Sequence, residues 1–144
     1  MKLSVIPSRL FGFLSNASHS HFDAHGNMFS LAMRVGVRGP EYVVQKYAAE
    51  DLGDGDPLGT GSVVASVRSR WLLRPSYMHS FAVTEHYFVL VEQPMVVSVP
   101  AMAGAHLAGR PMITALKWMG ETHSVTFHLI NRITGEKESN VTYR

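Results

Sequence analysis

An all-β fold is the class that the sequence favours, on three observations. Valine- and aromatic-rich runs of about six residues recur along the chain. Within them apolar and polar side chains tend to alternate, and breaks rich in Gly, Asn, Asp and Pro separate one run from the next. Residues 17–23 and 28–35 are β-like and flank Ala24-His25-Gly26-Asn27, a tight-turn composition, so they form a hairpin. Residues 42–47 and 63–68 are short strands rich in valine. The stretch 51–61 between them is acidic and glycine-rich but lacks the closing bidentate glutamate of an EF-hand, and it reads as a mobile surface insertion. Residues 77–83 and 86–91 form a second hairpin around the polar break Thr84-Glu85, and 95–99 continues as a strand. Residues 101–111, with small side chains and glycine, suit a short helix or a loop equally. Residues 113–118 and 123–131 read as a third β pair joined by Gly120-Glu121; Thr134-Gly135-Glu136 is a turn, and a last strand begins at Val141. Hairpins at this spacing suit a sandwich, a barrel or a propeller.

Composition narrows the function classes. A chain of 144 residues, 46% hydrophobic and 17% charged, has the make-up of a soluble domain with a real core. It contains no apolar run of about 18 residues, so no membrane span is expected. Thirteen basic residues against eleven acidic ones leave a net charge of +2, and the bases are scattered, so no nucleic-acid partner is expected. The absence of cysteine excludes disulfides and any thiolate metal site and agrees with a cytoplasmic location. Pro7 and Arg9 interrupt the apolar stretch 3–14, which therefore reads as mature structure rather than a signal peptide.

The chemistry lies in the histidines. His79 falls inside a strand-like run, where an imidazole is costly to desolvate unless a hydrogen bond or a metal satisfies it. Upstream, His19-Ser-His21 places two imidazoles on one face of an extended strand. Two such segments could converge on one transition metal. Equally, His79 suits a core imidazole bonded to a carbonyl, and the pair suits a solvent-facing edge. His25 and His86 read as solvated; His106, His123 and His128 read as structural. Tyr77, Phe81, Phe88 and Trp118 suit either core packing or the lining of an apolar tunnel.

Residues 74–94 carry Pro75, Ser76, Tyr77, His79, Ser80, Phe81, Thr84, Tyr87, Glu92 and Pro94. That arrangement resembles the Pro-Ser-Tyr-x-His-Ser-Phe-x-x-Thr-x-x-Tyr…Glu-x-Pro stretch of the carotenoid cleavage oxygenases. His19, His21, Asp23 and Gly26 are similar to that family's His-Pro-His-x-Asp/Glu-x-x-Gly region, with Ser20 where proline is usual. The 42–44 and 127–135 stretches are also similar, and the likeness runs over most of the chain, nearest to the animal branch.

The resemblance implies a seven-bladed β-propeller with iron on its axis, of which residues 1–144 would form part of a single domain, about two blades. It implies Fe²⁺ held by four neutral imidazoles, with His19 as the first ligand, His79 as the second and His21 bracing the pair. The other two ligands would follow Arg144, and the carboxylate that orients the second ligand would precede Met1. The implied activity is cleavage by O₂ of a conjugated double bond in an apolar polyene, a carotenoid or apocarotenoid, to aldehyde or ketone products. It also admits peripheral membrane contact of the full-length protein. Glu92 is implied to be architectural. With two ligands of four, the 144 residues alone are not expected to turn over. The alternatives are a retinoid isomerohydrolase of the same family, a catalytically inactive truncated product, and a cupin-like metal protein. The cupin pattern wants a glutamate where His25 stands and has no counterpart of residues 74–94.

Overall fold

Side chains that alternate between core and surface along valine-rich runs build two packed antiparallel sheets. The computed structural model describes residues 13–16, 19–36, 38–52 and 61–143. Five strands, β1 (Phe13–Asn16), β2 (His21–Phe22), β3 (Met28–Gly36), β4 (Gly39–Tyr47) and β5 (Ser62–Arg68), make the first sheet. The chain continues through β6 (Phe81–Val83), β7 (Tyr87–Glu92) and β8 (Met95–Val97), then the helix α1 (Val99–Leu107) and β9 (Leu116–Trp118). It closes with β10 (Val125–Asn131) and β11 (Lys137–Tyr143). In the first sheet the order is β1-β3-β4-β5, with β2 also on β3; β2 faces Met28 and Phe29, and β1 faces Ala32 to Arg34. The second sheet has the order β11-β10-β7-β6, and β8 pairs with β9 separately.

The inner faces share one core. Phe29, Leu31 and Met33 of β3, Tyr42 and Val44 of β4, and Ala65 and Val67 of β5 meet Phe81, Phe88, Leu90 and Ile130 of the second sheet. Phe88 and Leu90 are completely buried, and the Phe29 and Phe88 rings lie 5.4 Å apart. Each such side chain contributes about 1.5–3 kcal/mol by leaving water. On β7 the inward series Phe88, Leu90 ends at Glu92, and on β10 it runs Thr126, His128, Ile130. A carboxylate and an imidazole thus occupy inward positions of two paired strands.

The all-β expectation holds, and the hairpin around 24–27 is present. Asp23 accepts from the His25 and Asn27 amides there, and Gly26 adopts φ +79°. Of the two readings for 101–111, the helix is realised: Ser98 caps α1 by accepting from the Ala101 amide. Three expectations need correction. Residues 77–80 are not strand, because the Tyr77 amide donates to the Met95 carbonyl and the Ser76 amide to the Tyr42 hydroxyl; the hairpin ladder begins only at Phe81. Residues 113–118 do not pair with 123–131. Residues 112–115 form a 3-10 turn, β9 pairs with β8, and β10 pairs with β7, whose buried alternation matches its own. The last strand starts at Lys137 rather than Val141 and has a partner, Val141 lying opposite Phe127. All seven of its residues are exposed, so no hydrophobic alternation marks it in the sequence. The expectations for 3–14 and for the insertion at 51–61 fall largely outside the described residues. Among those described, no helix is long and apolar enough to cross a membrane.

Gly135, between β10 and β11, adopts φ +71°, and a Cβ there would run into the Val64 carbonyl oxygen of β5. Gly135→Ala is therefore expected to cost about 2 kcal/mol. Phe88→Ala, which opens a cavity at the centre of the core, should cost about 3–5 kcal/mol. Shifts of the denaturant midpoint at constant m-value measure both; a midpoint unchanged by Phe88→Ala would refute this packing.

Candidate metal centre

Two of the histidines singled out above are brought together from distant parts of the chain. His19, just before β2, and His79, just before β6, stand edge to face, with ring centroids 5.1 Å apart and planes at 70°. Both side chains are exposed, so His79 is not the desolvated strand imidazole that the sequence pattern implied. The Tyr77 ring lies 6.1 Å from that of His79. His21 faces the same 79–81 segment one step further on. Its Nε2 lies 2.8 Å from the Phe81 carbonyl oxygen, and its ring packs against the Phe81 ring at 4.9 Å. A carbonyl only accepts, so His21 Nε2 carries the proton and is engaged, whereas His19 and His79 show ring contacts alone among the described residues.

The stretch carrying His79 is fastened on both sides. Before it, the Ser76 amide donates to the Tyr42 hydroxyl at 2.7 Å, the Ser76 hydroxyl to the Gln93 carbonyl at 2.7 Å, and the Tyr77 amide to Met95 at 2.7 Å. Gln93 Nε2 closes this side by donating to the Tyr77 carbonyl at 3.1 Å. After it, Phe81 enters the β6–β7 ladder and meets His21. His79 therefore sits on a short span between two anchored ends.

The first anchor rests on Glu92, a carboxylate with no solvent exposure. Its Oε1 accepts from the Tyr42 hydroxyl at 3.0 Å and the Arg70 amide at 2.9 Å, with Ser69 Oγ at 3.4 Å. Its Oε2 lies 2.9 Å from Arg70 Nε and 2.9 Å from His128 Nε2. Arg70 also donates to the Glu92 and Ser124 carbonyls and stacks on Trp71 at 4.2 Å. Burial alone would push the Glu92 carboxyl up. The bonds from His128, the Arg70 amide and Tyr42, together with the Arg70 charge, outweigh it and hold the group below its ordinary value. The Tyr42 hydroxyl moves the other way: burial first, and then the Glu92 charge, keep it protonated well above the usual tyrosine range.

The remaining candidates separate from this place. His25, His86, His106 and His123 are exposed, and the His123 ring bonds its neighbour Thr122 and edges the Trp71 ring. Phe81 and Phe88 are core; Trp118 is 62% exposed on β9. His128 is structural, as expected, and Glu92 is architectural. Sequence reasoning did not connect Tyr42, Ser69 and Arg70 with Glu92. The one available signal was parity: Glu92 and His128 each continue an inward-facing alternation on their strands. Among the described residues no three His, Asp or Glu side chains cluster as a metal site. What the structure supplies is a pair of adjacent, unengaged imidazoles.

Comparison with known proteins decides the lineage. The family described as retinal pigment epithelial membrane protein matches residues 4–144. The chain belongs to this carotenoid oxygenase family. It is 36% identical over 125 residues to a carotenoid isomerooxygenase of Drosophila melanogaster, covering 87% of this chain and 19% of that protein. A carotenoid isomerooxygenase of Galleria mellonella is 33% identical over 126 residues, covering 86% and 24%. The beta,beta-carotene 15,15'-dioxygenase of Rattus norvegicus is 34% identical over 122 residues, covering 81% and 21%. The chain thus spans about a fifth of the length of the curated relatives it matches.

In this family member the buried carboxylate should be legible in the pH dependence of stability. Glu92 is held below its ordinary value in the folded state, so its contribution is complete above the unfolded value and is lost as pH falls through the folded one. Acidification from neutral pH to about pH 3 should lower the unfolding midpoint, and Glu92→Gln should flatten that part of the curve. Glu92→Ala, which leaves Arg70, Tyr42 and His128 without their acceptor, should cost about 3–5 kcal/mol at neutral pH. An acid limb of unchanged steepness in Glu92→Gln would show that another group governs it.

Proposed function

We propose that the full-length protein cleaves a conjugated double bond of a carotenoid or apocarotenoid with O₂, giving aldehyde or ketone products, and that His19 and His79 hold Fe²⁺ for that reaction. The approach of these two imidazoles from separate segments is the observation that carries the reading. Imidazole nitrogen suits Fe²⁺, and two neighbouring rings without hydrogen bonds to other described residues would be available to hold it. The relatives' names, isomerooxygenase and dioxygenase, support oxygenation as the reaction class. Bound Fe²⁺ would supply the one-electron chemistry through which O₂ reacts.

The chain's own residues do the placing. His19 and His79 donate as neutral groups and add no negative charge beside the metal. His21, proton-bearing at Nε2, ties the strand before β3 to the Phe81 carbonyl and so holds His19 against His79. The Tyr77 ring offers an apolar flank beside His79 along which a polyene would lie. The two packed antiparallel sheets correspond to about two blades of a seven-bladed propeller, with residues 1–144 as part of one domain completed by further chain. The outer face of the second sheet agrees with this. Val89, Val125, Phe127, Leu129, Val141 and Tyr143 line an open apolar groove of about 690 Å³ there. Leu107, Ile113 and Trp118 are large apolar side chains left exposed, which supports peripheral membrane contact of a protein that we place in the cytoplasm.

In the full-length protein, His19→Ala and His79→Ala should each lower iron content and reduce turnover at least about a hundredfold. His86→Ala and His123→Ala, both on exposed side chains, should retain iron and activity. His21→Ala should keep its iron while losing stability. Metal stoichiometry beside β-carotene turnover measures all five. Full iron in the His19 variant, with loss only in the His21 variant, would reverse the assignment within the pair. The isolated 144-residue chain should show no turnover above free Fe²⁺.

A further inference from the structure

We propose that Tyr42, oriented by Glu92, is a positioning residue that sets where His79 stands relative to His19. The proposal rests on the reading of this histidine pair as iron ligands and adds the device that places one of them. Ser76 is completely buried, and its amide donates at 2.7 Å to the Tyr42 hydroxyl, an acceptor on the opposite sheet. A buried amide deprived of its acceptor is costly, so the backbone at Ser76 follows that oxygen. The oxygen is itself fixed: it lies 3.0 Å from both Glu92 Oε1 and Ser69 Oγ, the two acceptors open to its one proton, and Glu92 is held by the Arg70 amide, Arg70 Nε and His128.

Ser76 is three residues before His79, and the described main-chain bonds of the intervening stretch end at Tyr77. The next fixed point is Phe81, where the β6–β7 ladder begins and His21 meets the carbonyl. His79 is thus carried on a span whose far end is set by its own sheet and whose near end is held by a phenol of the other sheet together with the bonds of Ser76 and Tyr77 to Gln93 and Met95. Among the described residues no hydrogen bond or ring contact joins Tyr42 to His79. Tyr42 acts through Ser76, and its effect is on geometry.

The test compares Tyr42→Phe with Tyr47→Phe in the iron-loaded full-length protein. Tyr47 is an equally buried phenol on the same strand, whose hydroxyl lies 3.3 Å from Gln45 Oε1. Tyr42→Phe should raise amide hydrogen exchange across residues 76–81 about tenfold, the equivalent of one hydrogen bond, and should alter the iron X-ray absorption edge. Tyr47→Phe should change neither. Exchange at 76–81 that stays at the wild-type level in Tyr42→Phe, or rises equally in both variants, would overturn the proposal. An absorption edge unchanged in Tyr42→Phe despite faster exchange would also overturn it, since His79 would then be placed without this anchor. A separate arm, iron content of His79→Ala, tests the underlying reading: full retention there would remove His79 as a ligand, and the proposal with it, whatever Tyr42→Phe shows.

Discussion

Glu92 is the point through which the two sheets and the histidine-bearing segment are joined. A buried carboxylate is tolerated only when its oxygens have partners, and here four residues of three elements supply them: Tyr42 of β4, Ser69 and Arg70 of the turn after β5, and His128 of β10. Such a centre is a poor source of net stability, because desolvating the ions offsets most of their attraction. Its value is directional. Apolar contacts between Phe29, Phe88 and Leu90 permit small slides of one sheet over the other, whereas a carboxylate held by several directed hydrogen bonds has one geometry.

That constraint bears on the histidine pair. His19 arrives from the first sheet's edge and His79 from the link leading into the second, so any slide between sheets would separate them. Two attachments oppose it: the Tyr42–Ser76 bond on one side of His79 and the His21–Phe81 bond on the other. The pair is exposed and otherwise unengaged, while the groups that fix it are buried or bonded. Burial and function divide between different residues, the usual arrangement where a ligand must remain reachable and yet be placed.

The elements easiest to read were those whose alternation survived folding. β3, β4, β7 and β10 bury every other side chain or more, β5 alternates only over residues 65–68, and the boundaries of all five lie within a few residues of those expected. β11 was nearly invisible, because Lys137-Glu-Ser-Asn-Val-Thr-Tyr143 lies wholly on the surface and is held by the β10 ladder alone. The 77–80 stretch misled for the opposite reason. Its residues look like strand, but the Tyr77 amide bonds to Met95 and that of the preceding Ser76 to Tyr42 instead of to a neighbouring ladder.

The sequence by itself determined the fold class, the family, and the two histidine segments, since each of these is written in local pattern and motif. It also marked Glu92 as part of the motif without showing what the carboxylate does. Only the tertiary structure decided that β9 belongs with β8, that His21 is engaged while His19 and His79 are not, and that Tyr42, Arg70 and His128 converge on one carboxylate. The reason is separation along the chain. Partners such as Tyr42 and Glu92 meet through strand order and sheet packing, and no spacing rule carries that information; a period of two says which face a side chain takes, not which strand will lie opposite it.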